Sequence, residues 1–283
     1  MSTCIAIIMR SKNEMPHARK ALAGLRSQRR TDWKLYAVDS GSTDGTLEEI
    51  QAFPPDEMVQ IAPSDYEPGP VLNRMVALTT EPLIVLLNAD AIPLDEFWLE
   101  KLVAPVEAGE AEASMSVQVA RPDADFVVAY DYARAYDPKN LKAENQDFFS
   151  AVACCFRRGL WEKHPFKDKG YSEDLAWSRE CQKDGARFRL VVDSRVEHSH
   201  NFTIAGLFKK RYRHGRAYVD IFGSKPEPVR QTLQCLKEMI RDFLHAVRKG
   251  RLDTIPFNLA HRYTIYRALF LGMRDEHKER NLS

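Results

Sequence analysis

Leu83-Ile84-Val85-Leu86-Leu87-Asn88-Ala89-Asp90-Ala91-Ile92-Pro93 is the stretch on which the fold turns. Its first five residues are apolar without a break, which predicts a strand buried on both faces inside a parallel sheet. The run stops on Asn88 and Asp90, two oxygen-bearing side chains with one small residue between them. In an extended backbone residues i and i+2 project the same way, so both reach toward one ligand at the strand's carboxyl end. Open α/β sheets bind ligands there, and an Asp beside a phosphate is a natural partner for a hard divalent cation. Taken alone, the stretch reads more simply as a strand and a polar turn closed by Pro93. Its neighbours reverse that reading.

Upstream, residues 3–9 (TCIAIIM) form another buried-strand candidate, followed by the polar turn Arg10-Ser11-Lys12-Asn13-Glu14. Pro16 opens a helix to about residue 28, since proline is tolerated in a first helical turn. Residues 35–38 are a strand ending in Asp39-Ser40-Gly41-Ser42-Thr43-Asp44-Gly45-Thr46, a loop by composition. Asp44 is placed to cap a helix over 46–53. Residues 58–62 read as a short strand, 63–70 as a proline-rich loop and 71–79 as a helix. Such strand–helix alternation builds a parallel sheet from βαβ units. Polar clusters end the strands at Arg10, Asp39 and Asn88, so a ligand site is expected along the sheet's carboxyl edge. No GxGxxG follows the first strand and no GxxxxGK[ST] occurs, which disfavours a dinucleotide oxidoreductase and a P-loop nucleotidase.

Downstream, 95–106 is helical in pattern, 113–120 alternates like a strand and 148–156 is apolar and buried. Residues 124–146 read as an irregular or helical insertion facing a substrate. Ser172 is placed to cap a helix that begins at Glu173 and Asp174, where carboxylates are favoured by the helix dipole. Residues 187–193 form a strand leading to Val196-Glu197-His198-Ser199-His200-Asn201. Two histidines at i and i+2 suit metal ligation or a surface turn.

The chain of 283 residues holds one large domain plus an appendage, or two small domains. Its net charge of +1 hides an asymmetry: residues 200–283 carry 17 Lys/Arg against 8 Asp/Glu, and the remainder 24 against 32. A basic tail on an acidic body suits an anionic partner or a solvated helical region. Five cysteines without metal spacing fit free thiols in a reducing compartment. No secretory signal or membrane span is visible, so a cytoplasmic protein is expected. After Gly223, the residues Val229, Leu233, Leu236, Ile240, Phe243 and Val247 make one apolar seam, flanked by Lys237, Arg241, Arg248 and Lys249. That seam suits docking onto the main domain, a homodimer, or peripheral contact with the inner face of an anionic plasma membrane.

Set together, these pieces resemble family 2 glycosyltransferases, which have the GT-A fold. The resemblance rests on "IIMRSKNE", "VDSGSTDGT", "EPGPVLNRMVA", "LLNADAIP", "FFSAVACCFRRGLWEKHPF", "YSEDLAWSRE" and "VEHSHNFT" in that order, over about residues 3–215. The segments "NADAIPLDEFWLEKL", "PFKDKGYSEDLAW" and "EHSHNFT" look like the bacterial rhamnosyltransferase-like subgroup. The resemblance implies an α/β fold of GT-A type: a mostly parallel central sheet flanked by helices, with a C-terminal helical extension. It also implies a transferase domain over 1–222, with a nucleotide-binding half of about 1–95 and an acceptor-binding half of about 96–222. The extension then covers 223–283.

Site roles carry over only where residues match. The resemblance places Asp39 at the nucleotide base, with Arg10, Glu14 and Asp44 along the same wall and Asn73 near the nucleotide. Asn88-Ala89-Asp90 stands at the DxD metal motif, with Asp90 expected to hold Mg²⁺ or Mn²⁺ against the diphosphate. Asn88 departs from the motif and removes one negative charge. Asp174 matches the catalytic base, with Glu173 beside it. His198 matches the histidine that completes the metal site, and His200 is a second candidate. Trp177 would line the acceptor or sugar pocket, and Arg211 and Arg213 would neutralise diphosphate. The implied partners are a UDP-, GDP- or dTDP-sugar and a glycan or lipid-linked acceptor, with no nucleic acid. The implied reaction is inverting: a carboxylate deprotonates the acceptor hydroxyl while a cation stabilises the departing diphosphate, as in bacterial surface polysaccharide assembly. A nucleotidyltransferase and a non-catalytic sugar-nucleotide binder are the alternatives; "RSKNEMP" lacks the glycines of the former.

Overall fold

The computed structural model describes residues 4–137, 139, 148–168 and 170–282. The chain divides into two units, Met1–Arg121 with Tyr132–Ser199 and Pro122–Asp131 with His200–Ser283. This division falls at Ser199, earlier than the expected boundary after 222.

In the first unit the strands are β1 (Ile5–Ser11), β2 (Trp33–Asp39), β3 (Glu57–Gln60), β4 (Leu83–Asn88), β5 (Ile92–Pro93), β6 (Ala113–Val119), β7 (Ala153–Arg157) and β8 (Phe188–Glu197). They form one sheet in the order β3-β2-β1-β4-β7-β6-β8-β5. β1, β2, β3 and β4 run parallel. β7 runs against β4 and β6, β6 and β8 run together, and the short β5 is antiparallel to β8. The sheet is mostly parallel, as expected; β5 was not anticipated, and β7 lies in the run read only as apolar and buried.

The helices up to residue 199 are α1 (His17–Arg26), α2 (Thr46–Ala52), α3 (Pro68–Leu78), α4 (Trp98–Glu107), α5 (Phe126–Ala135), α6 (Arg158–Lys163) and α7 (Glu173–Lys183); α5 up to Asp131 is assigned to the second unit. α5 occupies the start of the stretch read as an irregular or helical insertion; residues 138 and 140–146 of that stretch lie outside the described residues. Both sheet faces are covered, which is why β4 is apolar from Leu83 to Leu87. Leu83, Val85 and Leu87 join α1 and α4 in one core, and Ile84 and Leu86 join α3 and α7 in the other.

α3 also holds the segment that leads to α7. Asn73 Nδ2 donates to the Phe166 carbonyl at 2.8 Å. Its Oδ1 accepts from Trp161 Nε1 at 2.9 Å and from the Phe166 amide at 3.0 Å. Gly69 permits the approach, because a Cβ there would run into the Lys167 carbonyl. Gly69→Ala is therefore expected to cost about 1–3 kcal/mol, read as a lower urea midpoint. An unchanged midpoint would show that this contact does not fix the segment.

The second unit contains α8 (Ile204–Phe222), α9 (Pro228–Arg248) and α10 (Ile255–Leu282). α8 and α10 cross closely: a Cβ on Gly215 would meet the Leu269 carbonyl, and one on Gly272 the Tyr212 carbonyl. Residues 122–131 join this unit through Arg262, whose guanidinium donates to Asp131 at 2.7 Å and to the buried Asp242. The six apolar residues of the seam expected on α9 are 47–72% exposed among the described residues. No helix among the described residues is long and apolar enough to cross a membrane.

Candidate active site

The register of the first unit aligns the polar strand ends. Arg10 on β1 pairs with Asn88 on β4, and Ser11 with Asp39 on β2. Asp39 is buried and anchors the following loop. Its Oδ1 accepts from the amides of Gly41 at 3.0 Å and Ser42 at 2.8 Å. Its Oδ2 accepts from the hydroxyls of Ser11 at 2.8 Å and Ser42 at 2.5 Å. Those four bonds fill its acceptor capacity, so in this arrangement Asp39 shapes the loop.

Asp44 closes the loop's other end. It accepts from the amides of Met15 at 2.9 Å and Thr46 at 3.0 Å. Gly45 is the N-cap of α2 and has a left-handed backbone, so Asp44 anchors the first helical residue from one position outside the expected cap. Burial alone would raise the Asp44 pKa, but the bonds from Thr46 and Met15 outweigh it and the net direction is down.

A cavity of about 220 Å³ opens at these strand ends, lined by Arg10, Ser11, Lys12, Glu14, Ser40, Pro63, Tyr66 and Asn88. Arg10 spans its floor. Nε and NH2 donate to Asn88 Oδ1 at 3.3 and 3.1 Å, and NH1 to Glu173 Oε1 at 3.2 Å. Burial disfavours the charged guanidinium, yet Tyr66 and Glu173 more than compensate and the Arg10 pKa moves up. Asn88 therefore spends its carbonyl oxygen on Arg10, and Glu173 is the counter-ion of that arginine. Glu14 is pushed up to about 8 by burial and then by the charge of Asp90, with Arg121 opposing.

Asp90 is buried just beyond β4. Arg121 NH2 donates both to its Oδ2 and to its carbonyl, each at 2.9 Å. The sequence reading missed Arg121, although it follows the carboxyl end of β6 and Arg10 lies at the carboxyl end of β1, one residue before its last. On the other side, His198 Nε2 lies 3.4 Å from Asp90 Oδ2. His198 Nδ1 is 2.8 Å from Gln118 Oε1, while Gln118 Nε2 donates to Ser150 Oγ at 2.9 Å. With the amide nitrogen used on Ser150, Gln118 offers His198 an acceptor, so Nδ1 carries the proton. A neutral His198 then turns its Nε2 lone pair toward a carboxylate oxygen. A cation between them, whether a proton or a divalent metal, resolves that opposition, and an imidazole whose other ring N–H is fixed by an acceptor, here the Gln118 carbonyl, is a common metal ligand. The donor set fits a divalent ion.

Asp174 lies in the first turn of α7. Its Oδ1 accepts from the Leu175 amide at 2.9 Å and its Oδ2 from the Ala151 amide at 3.3 Å. Burial first, and then the charge of Glu173, raise its pKa to about 7, against the lowering effect of those amides and of Arg10. A partly accessible carboxylate poised near neutrality is suited to accept a proton.

The glycosyl transferase family 2 model matches residues 6–164, more than half of the chain. The chain belongs to glycosyltransferase family 2. This transferase is 24% identical over 194 residues to the O-antigen chain rhamnosyltransferase RfbN of Salmonella typhimurium, covering 64% of this chain and 62% of that protein. The chain thus spans less than two thirds of that relative's length. Its fold matches the mannosyltransferase PcManGT from Pyrobaculum calidifontis, solved with GDP-Man and Mn²⁺, at TM-score 0.67 and 17% identity, over 99% of this chain and 88% of that one. It also matches glucosyl-3-phosphoglycerate synthase from Mycobacterium tuberculosis, solved with Mn²⁺, UDP-Glc and phosphoglyceric acid, at TM-score 0.57 and 20% identity, over 78% and 80% of the two chains. The fold is GT-A.

Two expectations for the transferase need correction. Trp177 does not line a pocket: it is 1% exposed, packs against Phe149, Phe156, Phe166 and Phe188, and donates to the His164 carbonyl at 2.6 Å. Ser172 occupies the N-cap of α7 but its side chain makes no cap bond. Its φ of 65° departs from the extended geometry that aims a cap oxygen at the helix amides. Asn73 uses its carbonyl oxygen on Trp161 and Phe166, so its evident task is to hold that segment. His200 opens the second unit, with its ring tilted over Phe202 at 5.5 Å. Arg211 and Arg213 lie on α8 of that unit.

Proposed function

We propose that this transferase moves a hexosyl or deoxyhexosyl group, with inversion, from a nucleotide-sugar to a hydroxyl of a glycan or lipid-linked acceptor in bacterial surface polysaccharide assembly. The observation that carries this reading is the placement of Asp174. A carboxylate raised to about 7 sits beside Glu173, which binds Arg10 on the floor of the strand-end cavity. Asp174 takes the proton of the acceptor hydroxyl, which becomes nucleophilic as it attacks the anomeric carbon. One base and one direct displacement give inversion. Arg10 and Lys12 supply positive charge along the cavity, with Glu14, Asp39, Asp44, Asn73, Asn88 and Ala89 shaping the nucleotide half. Arg211 and Arg213 are the proposed further diphosphate contacts. The similarity to a rhamnosyltransferase supports a deoxyhexosyl donor.

Asp90 and His198, whose Oδ2 and Nε2 lie 3.4 Å apart, are the proposed ligands of a divalent cation, and His200 is a further proposed ligand. A carboxylate joined to imidazole favours Mn²⁺ over Mg²⁺, which prefers oxygen ligands. Bound there, the ion would neutralise charge on the departing diphosphate. A cytoplasmic setting is supported by five free cysteines, four of them buried.

Incubation with UDP-, GDP- and dTDP-sugars, an acceptor glycan and Mn²⁺ is expected to release the nucleoside diphosphate from one donor class. Pyrophosphate release would identify a nucleotidyltransferase, and no product from any donor would leave a sugar-nucleotide binder.

A further inference from the structure

α9 is amphipathic in the reverse of the usual sense. The residues it turns inward are Cys235, Asp242 and Ala246, and Asp242 is committed to Arg262. Its large apolar side chains face outward: Val229, Leu233, Leu236, Ile240, Phe243 and Val247 are 47–72% exposed. At 3.6 residues per turn they, with Leu244, occupy an arc of roughly 100° that runs the length of the helix. Leaving such a stripe in water is unfavourable in proportion to its area, and contiguous exposed apolar patches mark interaction surfaces.

The charges beside the stripe say what covers it. Arg230, Lys237 and Arg248 follow one flank, and Lys249 ends the helix; all are exposed. The two acids of α9 are elsewhere, Glu238 paired with Arg241 and Asp242 with Arg262. Arg230 has a contact with Glu227 at 3.6 Å, on the solvent side where such pairs count for little. A second copy of the helix would bring an equally basic flank and, apart from Glu227 at its N-cap, no acid to meet it. An apolar stripe edged by cations is instead the pattern of a helix lying in a lipid interface.

We propose that this face of α9 docks on an anionic lipid bilayer, with the stripe at the boundary of headgroups and acyl chains and the cationic flank on the phosphates. The docking is independent of which sugar is transferred, and it seats the enzyme on the surface where a lipid-linked acceptor resides.

Co-sedimentation of the full chain tests it with two vesicle types, phosphatidylcholine alone and phosphatidylcholine with phosphatidylglycerol. The phosphatidylglycerol vesicles are expected to carry the protein down, high salt to weaken this, and neutral vesicles to retain far less. Leu236→Glu with Ile240→Glu is expected to lower partitioning at least about tenfold. Arg230→Ser and Lys237→Ser are each expected to lower it roughly fivefold. All four positions are exposed, so the melting temperature reports that the variants stay folded. A full chain that stays in the supernatant, equal binding to neutral vesicles, or undiminished binding of the double Glu variant would overturn the proposal. So would a solution dimer that the double Glu variant dissolves, which would give the face to a second copy.

Discussion

Asp174→Asn is expected to lower kcat by about 10²–10⁴-fold, the range that a positioned general base contributes, while donor binding measured by calorimetry stays within a few-fold of the parent. The argument rests on the pairing of position with protonation. Asp174 is raised to about 7 by burial and by Glu173. Asparagine keeps the size and an acceptor for the Leu175 or Ala151 amide, but it cannot take a proton. The parent enzyme should also lose rate as pH falls. The active species is the ionised carboxylate, so kcat/KM should rise through about pH 7 and level off above it, and the Asn variant should lack that limb. Turnover in the variant equal to the parent's would remove Asp174 from the base role.

Chelation of divalent metal is expected to silence turnover, and Asp90→Ala to weaken Mn²⁺ binding in the presence of nucleoside diphosphate by more than about 100-fold. Loss of Gln118, which orients His198 without touching the ion, should cost less, roughly 10–100-fold for such supporting residues. The physical reason is the opposition of His198 Nε2 and Asp90 Oδ2 at 3.4 Å, which a cation relieves. Arg121 is the competing cation, since it already donates to Asp90 at 2.9 Å. Calorimetric titration of Mn²⁺ into both variants separates the two contributions. Full activity after chelation would show that basic side chains carry the diphosphate charge without a metal.

Much of the site was legible because its residues sit at strand ends. The alternation of two-faced apolar strands with amphipathic helices already implied a parallel sheet. Once the sheet is parallel, Arg10, Asp39 and Asn88 must emerge on one edge. What was misread were residues whose type suits two environments. Trp177 carries both a large apolar surface and one donor, so the same residue serves a pocket wall or a core; the aromatic cluster around it decided for the core. Asn73 and Ser172 were similarly ambiguous, because a short polar side chain serves whichever partner lies nearest. Arg121 carried the same signal as Arg10 and was overlooked among many arginines.

The sequence by itself determined the family, the mostly parallel sheet and the order of the carboxylates along it, because hydrophobic periodicity and motif order are one-dimensional properties. Only the tertiary structure decided who partners whom: Asn88 with Arg10, Asp90 with Arg121 and His198, Asp174 with the amides that surround it. Those pairings depend on strand register and on side chains far apart in the chain. The same holds for α9, whose apolar seam was plain in the sequence. Which side of it faces the protein was settled by the burial of Asp242 against Arg262, a contact that no helical periodicity encodes.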